Sequence, residues 1–297
     1  MLRSWNPSRV EERCSTEFQA LKSLRRVGFP VPEAYLCERS SSYFGFPFII
    51  TSKEEQVRES VKAIDCWAAT LARLHNLSFE ELRIEGLRSP TDEYAFAKSF
   101  PIRYKQFLSL ASKHDRKLKK YFELAVNWLK SNETYNYCPK YCLIHGDYHP
   151  GNAFVTKNSG LIVIDWDTIK IGDPAFDVGC AYHYINHLSE SKDYAEIAKL
   201  YGFGELLFPS ALDCGAADRF ISEYNRNFKG DNRRRILYYQ VVGILEVAMF
   251  HSLFLSNPLT AYRTHGSKAF IAFPFIRSPC AAKMVGTSFE VLWLQYF

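Results

Sequence analysis

A chain of 297 residues, 47% hydrophobic and 23% charged, has the balance of a globular protein and suffices for two domains or a large lobe with a smaller partner. Its net charge of +5 is mild, and the densest cluster, Arg233-Arg234-Arg235, reads as a solvated helix start, so no nucleic-acid partner is expected. Eight cysteines are scattered without a CxxC pair, and Cys138 and Cys142 lack the second pair a zinc site needs, which points to reduced thiols in a cytoplasmic protein. The opening MLRSWNPSRVEER lacks the apolar run of a signal peptide.

The first helix is well marked. Asn6-Pro7 or Ser8 with Glu11 can cap its start, Phe18, Leu21 and Leu24 recur at three-to-four spacing, and Gly28 stands past its end. Glu17 projects from a different face than that stripe. Two strands follow, AYLCE and FPFIIT, joined by a Ser-rich turn, so residues 1 to about 53 form a small lobe of one helix and a few strands.

From there the chain is predominantly helical. Val57, Val61, Ile64, Ala68, Leu71 and Leu74 make one apolar stripe ending at His75, and Leu118, Phe122, Ala125 and Leu129 make another. Further helices are predicted over 174–186, 216–228 and 233–255. The stretch ILYYQVVGILEVAMFHSLFL, 236–255, is long enough to span a bilayer, but Gln240, Glu246 and His251 would then lie in hydrocarbon; a buried helix is expected, and no membrane span. Between the helices lie YCLIH, NAFV, a Lys-Asn-Ser-Gly turn and LIVIDW: a loop leading into a hairpin, with GDYHPGN at its entrance and Asp165 at its exit.

LIHGDYHPGN, 143–152, packs two histidines, an aspartate, an asparagine and two glycines directly behind an apolar run. A polar loop, a metal-ligand cluster and a catalytic loop are the competing readings. The hairpin can make Asn152 and Asp165 neighbours, and Asp147 feeds the same end. One amide and one carboxylate oxygen suit magnesium, which takes its remaining ligands from water and phosphates. A second carboxylate close by, Asp147, is placed to accept a proton from an attacking hydroxyl. His145 and His149 with Asp165 could instead suggest zinc, but the histidines stand four apart in a Pro-Gly loop rather than on a helix face; a metal-dependent hydrolase is the weaker alternative.

HGDYHPGN resembles the His-Gly-Asp-x-His-x-x-Asn catalytic loop of the aminoglycoside phosphotransferase and choline kinase-like family. IDWDTIKIGDPAFDVG, 164–179, is similar to that family's metal-binding segment, the counterpart of Asp-Phe-Gly in protein kinases. TEFQALKSLRRVGFPVPE resembles the small-lobe helix and the turn after it, and LARLHNLS the helix ending in Leu-His. The resemblance covers residues 1 to about 255.

It implies an α+β, bilobal protein kinase-like fold with a truncated small β-rich lobe, 1–53, and a large, mainly helical lobe, 54–297. It further implies ATP with Mg2+ and transfer of the γ-phosphoryl group to a hydroxyl of a small molecule. Carried over, Asp147 is the catalytic base, His145 braces its loop and His149 supports it. Asn152 and Asp165 hold magnesium, and Asp177 ties its segment to the catalytic loop. Glu17 is the small-lobe helix glutamate, Arg3 the cation it holds against the ATP phosphates, and Ile50, Thr51 and Ser52 the hinge beside adenine.

The pattern also breaks. The resemblance begins at MLR, the strand that would carry the phosphate-binding cation, so the two preceding strands and their phosphate-covering loop are missing from it. A coding start further upstream is expected. No glycine-rich phosphate loop stands elsewhere to replace them, and TSKEE departs from the family's hinge. A non-catalytic nucleotide-binding pseudokinase is therefore the main alternative. Trp166, Tyr182, Tyr184, Tyr238 and Tyr239 could cage a quaternary ammonium or simply pack the core. No dense acidic cluster beyond Asp173, Asp177 and Glu190 awaits a polycation, and the acceptor stays open.

Overall fold

The computed structural model describes residues 7–40, 42–44, 46–54, 63–111, 116–133, 136–156, 160–190 and 215–255. Helix α1 runs Pro7–Arg26, with proline in its first turn, where a missing N–H costs nothing. Its end is closed by Gly28 at φ +70°, whose N–H meets the Arg25 carbonyl while the Phe29 N–H meets that of Leu24, both at 2.9 Å. This is the double closure that a left-handed glycine permits. Strands β1 (Ala34–Glu38) and β2 (Phe48–Thr51) then pair antiparallel. The second starts two residues later than FPFIIT predicted.

Helix α2 (Ala63–His75) buries Ile64, Ala68, Leu71 and Leu74, the predicted stripe; Val57 and Val61 lie outside the described residues. Three helices follow: α3 (Phe79–Leu82), α4 (Ala95–Ala111) and α5 (Arg116–Ser131). Helix α4 has no counterpart among the expected helices, and Pro101 stands inside it. A proline removes the bond to the carbonyl four residues back, here Ala97. The Tyr238 hydroxyl donates to that carbonyl instead, at 3.0 Å. The helix survives because a partner from elsewhere takes up the orphaned acceptor.

The middle of the chain folds as expected, with one addition. Strand β3 (Cys142–Ile144) leads into the polar loop and a 3-10 turn (Pro150–Asn152), then β4 (Ala153–Thr156) and β5 (Gly160–Val163) form the hairpin. Its turn, 157–159, lies outside the described residues. The addition is β6 (Lys170–Gly172), which pairs antiparallel with β3, Ile144 opposite Lys170. Helices α6 (Pro174–Glu190), α7 (Ala216–Asn227) and α8 (Arg233–Leu255) complete the set. Trp67 of α2, stacked on Tyr148 at 4.8 Å and against Phe220 of α7 at 4.7 Å, anchors the polar loop to the core.

The chain divides into two compact units, Leu2–Glu246 and a second formed by Met1 with Val247–Phe297. The site lies in the first. Among the described residues no helix is long and apolar enough to cross a membrane.

Candidate functional site

Strand β3 delivers the loop and Asp177, in the first turn of α6, holds it. The buried Asp177 carboxylate accepts the backbone N–H of His145 at 2.7 Å and of Gly146 at 2.9 Å. Its Oδ2 also lies 3.2 Å from His75 Nε2 at the end of α2, and His75 Nδ1 meets the Tyr224 hydroxyl at 2.7 Å. Burial alone would push this carboxyl up; His75, His145 and the Gly146 N–H outweigh it and hold Asp177 below the usual carboxylate value. His75 is the site residue that the sequence reading left without a role. Its signal was present, in the Leu-His ending of α2.

His145 is buried and links two segments. Its Nε2 faces the Ile164 carbonyl at 2.9 Å and its Nδ1 accepts the Asp147 N–H at 3.3 Å. A neutral ring protonated on Nε2 satisfies both bonds, and burial pulls the ring's pKa down in agreement. His149 caps the 3-10 turn by accepting the Gly151 N–H on Nδ1 at 2.9 Å. That leaves its Nε2 toward Asp147 Oδ2, 3.6 Å away. The Asp147 side chain is 41% exposed. Its burial acts to raise the carboxyl, but His149, His145 and Lys170 prevail and hold it below the ordinary value.

The hairpin brings the predicted ligand positions together. The Ile164 N–H donates to the Asn152 carbonyl at 2.9 Å, so Asp165 follows directly on the residue paired with Asn152. Asn152 Nδ2 donates to the Asp147 carbonyl at 2.9 Å, tying ligand candidate to base candidate. Asp165 adopts φ +60°, a left-handed conformation that aspartate tolerates better than most residues. It is exposed and lines a cavity of about 310 Å³ with Glu17, Thr51, Ser52, Glu54 and Trp166. Ser52 is fixed there, its hydroxyl accepting the Glu33 N–H at 2.9 Å and donating to Glu54 at 2.6 Å. Ile50 precedes them on β2 with its side chain exposed, outside the lining. Arg3 lies outside the described residues.

A family model described as a phosphotransferase enzyme family matches residues 1–209. The chain belongs to the phosphotransferase enzyme family. Human acyl-CoA dehydrogenase family member 11 is 26% identical over 185 residues, which make up 54% of this chain and 22% of that protein. The chain thus spans less than a quarter of the curated relatives it matches. Among solved structures, a choline/ethanolamine kinase family protein from Mesorhizobium loti superposes with a TM-score of 0.55 at 11% identity, over 91% of this chain and 82% of that one. Spectinomycin phosphotransferase, solved with ADP and spectinomycin, gives 0.54 at 14% identity, over 89% and 79%. The fold of this phosphotransferase family member is the kinase-like one, α+β and mostly helical.

Geometry gives two alternatives little support. Among the described residues no three His, Cys, Asp or Glu side chains are grouped to hold a metal, so the zinc reading gains no support there. Of the five aromatic residues that could cage a cation, Trp166, Tyr182, Tyr238 and Tyr239 are buried in the core, while Tyr184 is half-buried with its ring 5.2 Å from that of His149.

Proposed function

We propose that this chain transfers the γ-phosphoryl group of ATP to a hydroxyl of a small molecule, with residues 1–53 as small lobe and the large lobe beginning at 54. The observation that carries the reading is the cavity where Glu17 of α1, Thr51 and Ser52 at the end of β2, and Asp165 at the hairpin exit converge beside the Asp147–Asn152 loop. The nucleotide in the spectinomycin phosphotransferase structure supports assigning ATP to this cavity. Arg3 is proposed as the phosphate-facing cation on its family position alone.

The donor set fits magnesium. Asp165 offers a carboxylate, and Asn152, whose Nδ2 is engaged by the Asp147 carbonyl, keeps its amide oxygen for another partner. Magnesium held there would neutralise charge on the phosphates. Asp147 then accepts the proton of the acceptor hydroxyl as its oxygen bonds to the γ-phosphorus and ADP departs. His149 and His145 keep that carboxylate ionised and aligned.

Thermal unfolding with and without Mg-ATP tests this, with Asp165→Asn beside the wild type. Asparagine tolerates the left-handed backbone at 165, so the variant should fold. Nucleotide at about a hundred times its Kd should add roughly 2.7 kcal/mol, a shift of about 4–5 °C. A magnesium-dependent shift in the wild type alone supports the site. No shift in the wild type, or an equal shift in both, removes it.

A further inference from the structure

Lys170 acts on Asp147 only through its charge; its ammonium takes no direct bonding part in the machinery above. It stands on β6 opposite Ile144, and its Cε lies 2.8 Å from where a Cβ on Gly146 would be. Its side chain therefore runs along the backbone of the loop that carries Asp147. The ammonium sits 5.2 Å from the centre of the Phe176 ring. Among the described residues, no hydrogen bond or ion pair reaches it.

The charges around it are already engaged. Glu246 of α8 pairs with Arg103 of α4 and accepts the Tyr104 hydroxyl. The Asp177 oxygens are taken by His75 and by the N–H groups of His145 and Gly146. Asp147 faces His149. Burial pulls the lysine's pKa below its ordinary value, while Asp177 and Glu246 act to hold it up. Lys170 is only half-buried, and because the neighbouring carboxylates are engaged by other groups its ammonium keeps donors for a charge-assisted bond to a bound anion.

The direction of this charge also matters. The nucleotide cavity is walled by α1, the end of β2 and the hairpin, and Lys170 is not in its lining. The residues around Lys170 come from α4, α6 and α8. It is thus close to the candidate base yet outside the proposed nucleotide cavity. We propose that Lys170 binds an anionic group, a carboxylate or a phosphate, on the acceptor molecule and so holds the acceptor's hydroxyl at Asp147. This rests on the phosphotransferase reading above and narrows it to anionic acceptors.

The experiment follows phosphoryl transfer from labelled Mg-ATP to 3-hydroxypropionate and glycerol 3-phosphate, against neutral 3-hydroxypropionamide and cationic ethanolamine. The two anions separate a carboxylate from a phosphate preference. Wild type should favour an anion over the amide by about tenfold or more in kcat/KM. Lys170→Met, of similar volume and apolar, should lose that preference, its kcat/KM falling further on the anion than on the amide, and Lys170→Arg should restore part of it. Should Lys170→Met not fold, Lys170→Gln carries the same comparison.

Three results would overturn the proposal: a wild-type preference for the amide or ethanolamine, an unchanged anion preference in Lys170→Met, or an equal kcat loss on every acceptor. The last would place Lys170 on the transferring phosphoryl group instead. If Mg-ATP binds but nothing is phosphorylated, the transferase reading itself falls. Calorimetric titration of the two anions then decides the site. Binding lost in Lys170→Met sustains it; equal binding, or none to the wild type, ends it.

Discussion

Asp177 accepts the backbone N–H of His145 at 2.7 Å although 32 positions separate them, so the first turn of α6 fixes where the Asp147 loop begins. Asp177→Ala strands two buried N–H groups and His75 together. Removing one partner of such a buried charged network costs about 3–5 kcal/mol, and urea denaturation should show a loss of that order. The pH dependence has a definite sign. The Asp177 pKa is lower in the folded chain, so the unfolded chain binds its proton more readily. Its contribution is complete above the unfolded carboxylate value of about 3.9 and is lost as pH falls through the folded value beneath it. Asp177→Asn should remove that acid-induced loss, which an acid titration of stability will detect.

Asp147 contrasts with Asp177 in exposure, and its substitution should separate chemistry from folding. With the side chain 41% exposed, Asp147→Asn should change unfolding free energy by less than about 1 kcal/mol. Phosphoryl transfer should fall by roughly 10²- to 10⁴-fold, the usual contribution of a positioned base. His149, His145 and Lys170 hold its pKa below the ordinary carboxylate value against the effect of burial. The base is therefore ionised throughout the neutral range, and kcat/KM should show no acid limb from this group above about pH 5. Transfer retained in Asp147→Asn would dismiss it as the base.

Gly146 and Gly160 both have positive φ, +84° and +68°, but their surroundings differ. A Cβ on Gly146 would stand 2.5 Å from the Thr168 carbonyl oxygen, a backbone atom that cannot step aside cheaply; on Gly160 it would meet nothing within 4 Å. Gly160→Ala should therefore cost only the left-handed strain, about 1–2 kcal/mol. Gly146→Ala should cost at least about 2 kcal/mol more through the clash and should displace Asp147. Parallel denaturation curves of the two variants measure the difference, and equal losses would mean the loop yields without cost.

Much of this was legible in the sequence, and the parts that were not share a cause. Helix α1, the β1–β2 pair and the hairpin announce themselves through local periodicity and turn residues, and HGDYHPGN through residue chemistry at fixed spacing. Strand β6 is three residues long and has no periodicity to detect; it exists because β3 offers an edge. The part His75 plays depends on α2 ending where α6 begins, 102 positions away, a tertiary fact. Nothing in the sequence singles out Lys170, because its setting becomes visible only once the neighbouring carboxylates are seen paired with other groups. Arg3 and the tail beyond 255 fall outside the described residues.

Helix α4 offers the sharpest test of how a local rule is overridden. Pro101 denies the Ala97 carbonyl its helical partner, and the Tyr238 hydroxyl of α8 supplies another at 3.0 Å. Tyr238→Phe should therefore leave a buried acceptor unmade and cost about 1–3 kcal/mol. Pro101→Ala restores the helical N–H, which can reach Ala97 directly, and removes the ring that disfavours a helix interior. In the wild type that gain is partly redundant, because the carbonyl is already satisfied. In Tyr238→Phe it is not, so Pro101→Ala should stabilise the variant by about 1 kcal/mol more than it stabilises the parent. A double-mutant cycle on unfolding free energy reads that coupling directly. Strict additivity would mean that the Tyr238 hydroxyl contributes nothing to carrying α4 past its proline.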